Sequence, residues 1–102
     1  MKTKVSVVIL AKNEENRIGM CIDSVRNQSL KPDEIIVVDG NSRDGTVEIA
    51  KQKKCKVVIE KKNTYGYARN LGVREASNEF IAFISADAEA ADDWLASIVS
   101  PL

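Results

Sequence analysis

Residues 35–46 run Ile35-Ile36-Val37-Val38-Asp39-Gly40-Asn41-Ser42-Arg43-Asp44-Gly45-Thr46. A short β-branched run ends on an acid and a glycine, and a polar loop leads to Asp44, a residue type that caps helices. The stretch therefore predicts a buried strand (Ile35 to Asp39) passing into a helix that starts after Asp44 and turns Val47 and Ala50 inward. The same handover recurs along the chain. Val5 to Leu10, Lys56 to Glu60 and Phe80 to Ser85 are the other near-continuous apolar runs, as in strands of a parallel sheet covered on both faces.

Helical patterns separate these runs. From about Glu14 to Asn27, Ile18, Cys21, Ile22 and Val25 recur at helical spacing, with Asn13 as the expected N-cap and Glu14 and Glu15 suiting the positive end of the dipole. A third helix, about Tyr65 to Ala76, places Ala68, Leu71 and Gly72 on one side. A fourth starts near Asp92 or Asp93 with Trp94, Leu95 and Ile98 apolar. Strand–helix alternation of this kind predicts an α/β fold with three layers and an open, mainly parallel sheet of order 3-2-1-4. Ligands of such sheets bind outside the carboxyl ends of the strands near the topological switch. The segments to inspect are those after Leu10, Val38 and Glu60 and around Ser85.

Composition narrows the function. The chain has 102 residues, one small domain by size, with 15 basic and 15 acidic residues. A balanced charge argues against a nucleic-acid partner, and the lysines between Lys51 and Lys62 read as a solvated surface. No histidine is present, which removes Ser-His and Cys-His nucleophile schemes. Cys21 and Cys55 lack metal-site or redox spacing and read as buried thiols in a reducing compartment. No run approaches a membrane span, and Met1 to Lys4 lead straight into a strand without a signal peptide, so a cytoplasmic location is expected.

The polar residues at the strand ends carry the functional reading. Ala11-Lys12-Asn13-Glu14-Glu15 follows the first strand, Asp39 to Thr46 the second, and Ser85-Ala86-Asp87-Ala88-Glu89 the fourth. Adjacent ends of three strands span about 10 Å, enough for a nucleoside on one side and its diphosphate on the other. Asp39 and Asp87 also have plainer roles open to them as turn residues, as Arg69 does as an exposed helix arginine and Asp44 as a cap. A dinucleotide-binding oxidoreductase domain needs a Gly-x-Gly-x-x-Gly turn after the first strand, and residues 11–16 contain no glycine.

Four ordered motifs resemble family 2 glycosyltransferases: Val7 to Glu15, Ile35 to Thr46, Ala68-Arg69-Asn70-Leu71-Gly72, and Phe80 to Asp87 followed by Asp92-Asp93-Trp94-Leu95. The resemblance implies a Rossmann-like GT-A fold and a nucleotide-diphospho-sugar donor, a UDP- or GDP-sugar. It implies that Ala11 and Glu14 line the nucleoside pocket, that Asp39 accepts hydrogen bonds from base or ribose, and that Arg69 faces base or diphosphate. Ser85, Ala86 and Asp87 fall on the family's Asp-x-Asp, with Asp87 as ligand to Mg²⁺ or Mn²⁺. Three positions depart from the pattern: Leu10 replaces a proline, Lys12 an aromatic, and Ser85 the first acid of Asp-x-Asp. No residue is assigned as the catalytic base, which the family supplies from a later half. The chain is thus expected to be the N-terminal donor-binding part of a truncated transferase, self-associating as a homodimer or higher oligomer through the sheet edge left uncovered. The alternative is a non-catalytic nucleotide-binding or assembly module with the same fold.

Overall fold

The computed structural model describes residues 3–62 and 64–99, apart from the side chain of Tyr65; Met1 and Lys2 of the expected strand approach lie outside them. The elements alternate as the apolar runs predict: β1 (Val5–Ala11), α1 (Ile18–Arg26), β2 (Glu34–Asp39), α2 (Thr46–Gln52), β3 (Lys56–Ile59), α3 (Tyr65–Glu75), β4 (Phe80–Ser85) and α4 (Trp94–Val99). All three strand pairs are parallel and the order is β3-β2-β1-β4. Ala11 pairs with Asp39 and Leu10 with Ser85, so the ends of β2, β1 and β4 are level.

Burial on two faces explains why β1 and β2 are so apolar. Val5, Val7, Ile9 and Ala11 face a core completed by Ile18, Cys21, Ile22 and Val25 of α1, Ala50 of α2, and Leu95 and Val99 of α4. Val8, Ile36 and Val38 face the other way, against Ala68 and Leu71 of α3. A Cβ added to Gly72 would lie 2.7 Å from a Val8 methyl, so glycine lets α3 sit directly on β1. At the amino ends, Glu34 joins three elements: it accepts from Ser6 Oγ (2.7 Å), Ser77 N (2.7 Å) and Ser77 Oγ (3.2 Å).

Three details differ from the sequence expectation. α1 begins at Ile18, not Glu14, and Asn13 is not its N-cap. Asn13 instead adopts a left-handed backbone (φ 52°), which asparagine tolerates, and residues 14–17 make a single turn closed by Ile18 N donating to Glu14 O at 2.8 Å. In α2, Ala50 is buried as expected, but Val47 is only half-buried and Ile49 packs on the core in its place. Asp44 does serve α2 from two residues before its first residue, accepting from Thr46 N at 3.0 Å.

Candidate functional site at the carboxyl end of the sheet

A cleft of about 320 Å³ opens at the carboxyl ends of the strands, where parallel sheets bind ligands. Leu10, Ala11 and Val38 form its apolar floor. Lys12 and Glu14 come from the loop after β1, Gly40 from the loop after β2, Glu60 and Thr64 from the loop after β3, Ala68 from α3 and Ser85 from β4.

A mesh of hydrogen bonds between the first two loops gives the cleft its shape. Asn13 N donates to Ser42 Oγ (2.7 Å), Arg43 N to Asn13 Oδ1 (2.8 Å), Glu14 N to Thr46 Oγ1 (2.9 Å), Glu15 N to Asp44 Oδ2 (3.2 Å) and Gly45 N to Glu15 Oε1 (3.1 Å). Each pairs a loop amide with a side chain of the other loop, and the Glu14–Thr46 bond is partly buried. The density of Asp, Asn, Ser and Thr in these loops is thus a loop-to-loop clamp in large part. Asn41, with φ 64°, makes the left-handed turn that lets the second loop fold back.

Asp39 belongs to this clamp. It is fully buried, and its carboxylate accepts from Ser42 N (2.7 Å) and Ser42 Oγ (2.6 Å). Among the expected ligand residues, Ala11, Glu14 and Ser85 line the cleft; Asp39, Arg69, Ala86 and Asp87 do not, and Asp39 is turned onto Ser42. Glu14 also pairs with Arg17 at 3.5 Å.

Alternation at the end of β4 separates the next three residues. Ser85 and Asp87 are exposed and Ala86 is fully buried. Ala86 N continues the ladder by donating to Leu10 O at 2.9 Å, so this residue fixes the strand end while its methyl lies in the core. Ala88 N donates to Ser85 O (3.0 Å), closing a turn in which Asp87 is exposed and outside the residues that line the cleft. Cys21 S–H also reaches Ser85 O at 3.5 Å; burial first, and then the charge of Asp87, push this thiol up to about 12. Both cysteines are free and buried.

Arg69 lies in the second turn of α3 with its guanidinium 4.1 Å from the centre of the Phe83 ring. Phe83 precedes Ser85 by two residues, roughly 7 Å along the strand, so the guanidinium sits over β4 short of its carboxyl end and outside the residues that line the cleft. Glu60 is a cleft residue not expected among the ligands; Lys12, standing where the family has an aromatic and open to a phosphate contact instead, also lines the cleft and lies against Gly40, where an added Cβ would come within 3.3 Å of its stem. The signal that would have found Glu60 is an acid closing an apolar strand, the same signal as Asp39.

Among the described residues no group of three His, Cys, Asp or Glu converges. Two exposed oxygen-bearing side chains, Ser85 and Asp87, stand at and just after the end of β4, the kind of hard donor that Mg²⁺ takes in phosphate sites together with water and phosphate oxygens. No described helix is long and apolar enough to cross a membrane.

Residues 6–102 match the family described as glycosyl transferase family 2. Glycosyltransferase AglE of Haloferax volcanii is 35% identical over 106 residues, covering 96% of this chain and 35% of that protein. The poly(ribitol-phosphate) beta-glucosyltransferase of Bacillus spizizenii is 38% identical over 93 residues, 82% of this chain and 15% of that protein. The chain thus spans about a third or less of the length of these relatives. The mannosyltransferase PcManGT of Pyrobaculum calidifontis, solved with GDP-Man and Mn²⁺, superposes with a TM-score of 0.87 at 28% identity, over 97% of this chain and 32% of that one. S. aureus TarS with UDP-GlcNAc gives 0.83 at 27%, over 96% and 30%.

Proposed function

The chain belongs to glycosyl transferase family 2 and has the strand order and helices of the GT-A fold, and from that premise we propose that it binds a nucleotide-diphospho-sugar donor with a divalent metal ion. The observation that carries the reading is the cleft itself, which joins an apolar floor of Leu10, Ala11 and Val38 to the polar side chains of Lys12, Glu14 and Ser85. An apolar floor accepts the face of a base or ribose, and a guanidinium with a metal-binding carboxylate accepts a diphosphate. The structures of relatives with GDP-Man and Mn²⁺ and with UDP-GlcNAc support the same ligand class.

In this proposal Ala11 and Glu14 line the nucleoside part, Arg69 neutralises diphosphate charge, and Asp87, aided by the Ser85 hydroxyl, holds Mg²⁺ or Mn²⁺. A bound divalent ion supplies Lewis-acid stabilisation of the departing diphosphate. Ala86 contributes through its backbone, and Asp39 by fixing the loop through Ser42. An inverting transfer also needs a carboxylate within reach of the acceptor hydroxyl. Asp92 and Asp93 stand at the approach to α4, away from the cleft lining. The chain alone is therefore expected to hold a donor and not to transfer its sugar efficiently.

Titration calorimetry with UDP, GDP and their sugars, with and without Mn²⁺, tests the proposal. Asp87→Ala is expected to lower the Mn²⁺-dependent affinity by about tenfold or more, since even indirect supports of a metal contribute that much. A folded protein that binds no nucleotide overturns the reading. Ser85 in place of a second acid favours one other reading, a non-catalytic nucleotide-binding or assembly module. Its signature is affinity that Asp87→Ala leaves unchanged.

A further inference from the structure

Glu60 follows β3, with its backbone N–H donating to Asp39 O at 2.7 Å. It is 2% exposed, yet it lines the cleft beside Val38, Gly40, Thr64 and Ala68. A buried acid in a cleft that receives a diphosphate is poorly placed for the phosphates, which it repels. The strand order removes the conflict. β3 and β4 are the two outer strands, so Glu60 lies about 14 Å, three inter-strand spacings, from Ser85 and Asp87. The β4 side suits the diphosphate and the β3 side suits the uncharged end of the ligand, its base.

We propose that Glu60 is the base-reading residue of this cleft and that it selects guanine, making the donor a GDP-sugar; the inference rests on the nucleotide-sugar reading above. Guanine presents two adjacent donors, the N1–H and the N2 amino group, which match the two oxygens of a carboxylate in a bidentate pair. Uracil presents a single N3–H between two carbonyl oxygens, and those oxygens face the carboxylate unfavourably. Adenine offers an amino group next to an acceptor nitrogen, so it satisfies one oxygen and opposes the other. Glu60 is itself engaged within the protein, but a carboxylate accepts at about four positions, which leaves capacity for a base. Glu14, the other acid lining the cleft, is paired with Arg17 at 3.5 Å, and Asp39 is fully buried with both oxygens bonded to Ser42.

The test is calorimetry of the whole chain with GDP, IDP and UDP in Mn²⁺. GDP is expected to bind roughly ten- to a hundredfold more tightly than UDP, the range for a charge-assisted hydrogen bond. IDP, which lacks only the N2 amino group, is expected to lose about tenfold relative to GDP. Glu60→Gln should bring GDP and IDP to equal affinity. If circular dichroism shows this variant unfolded, the three-nucleotide comparison on the unaltered chain decides alone. UDP binding as tightly as GDP, or IDP as tightly as GDP, overturns the Glu60 assignment and leaves the donor site standing. Absence of all nucleotide binding overturns both.

Discussion

Asp39 and Ser42 separate what a side chain's identity reveals from what its surroundings decide. An acid closing a β-branched run at the carboxyl edge of a parallel sheet reads as a ligand contact, and it does stand at that edge. Its carboxylate is nevertheless folded onto Ser42, whose hydroxyl also accepts from Asn13 N. One hydroxyl therefore joins both loops, and its removal should be felt twice. Ser42→Ala is expected to destabilise the protein by about 1–2 kcal/mol in urea unfolding, the scale of losing a partner to a buried charged group. Nucleotide affinity should fall with it, because Lys12 and Gly40 are carried on the loops that Ser42 ties. Unchanged stability would show that water replaces the hydroxyl and that the clamp is not structural. Sequence could not assign this role: Ser42 looks like any loop serine until Asn13, distant in the chain, is brought beside it.

Elements were more legible than loops, for a reason that Gln28 and Glu34 make concrete. Apolar periodicity reports a face buried over several turns, so Ile18, Cys21, Ile22 and Val25 announce α1, and the β-branched runs announce all four strands. A polar residue gives no such signal. Gln28 is buried just beyond α1, donating to Ser24 O (2.9 Å) and Ala91 O (2.7 Å) and accepting from Leu95 N (2.9 Å), and so it holds the segment after β4 in place. α1 starts later than the sequence predicts because Asn13 has the chemistry of a cap but makes its hydrogen bonds across the loops. Glu34, likewise silent in the sequence, joins β1, β2 and the turn before β4. Burial pushes its carboxyl up, but hydrogen bonds from Ser77 and Ser6 and the charge of Lys56 outweigh that, leaving it below the ordinary range. A carboxyl held lower in the folded state stabilises it at pH values above its unfolded pKa of about 4.3, and that contribution disappears as pH falls through the folded value. Glu34→Gln should therefore destabilise the protein at pH 7, and by progressively less as pH falls from about 4 toward 3. Urea midpoints of both proteins across that interval check it; a constant difference at all pH values would assign the effect to packing.

At the scale of the whole molecule the two edges of the sheet are unequal. β3 is short, and its first residue, Lys56, is ion-paired with Glu75 of α3 at 3.0 Å, so a charge and a helix guard that side. β4 is longer, Phe80-Ile81-Ala82-Phe83-Ile84-Ser85, with no charged residue and no proline, and among the described strands it pairs only with β1. An uncharged strand edge is a template for another strand. Long-range repulsion does little to oppose such pairing, because the formal net charge is zero and the sequence pI is about 6.3. We therefore expect two copies of this chain to associate through β4. Alternate amides of β4 point outward, so association should slow their hydrogen exchange as protein concentration rises, while the amides paired to β1 stay protected at every concentration. Light scattering at micromolar concentration should give a mass near twice that of the 11.2 kDa chain. A monodisperse monomer whose outward β4 amides exchange at the same rate at all concentrations would rule this association out. A dimer whose β4 amides are indifferent to concentration would place the contact on another surface, where Met20 and Val73 are the exposed apolar side chains of α1 and α3.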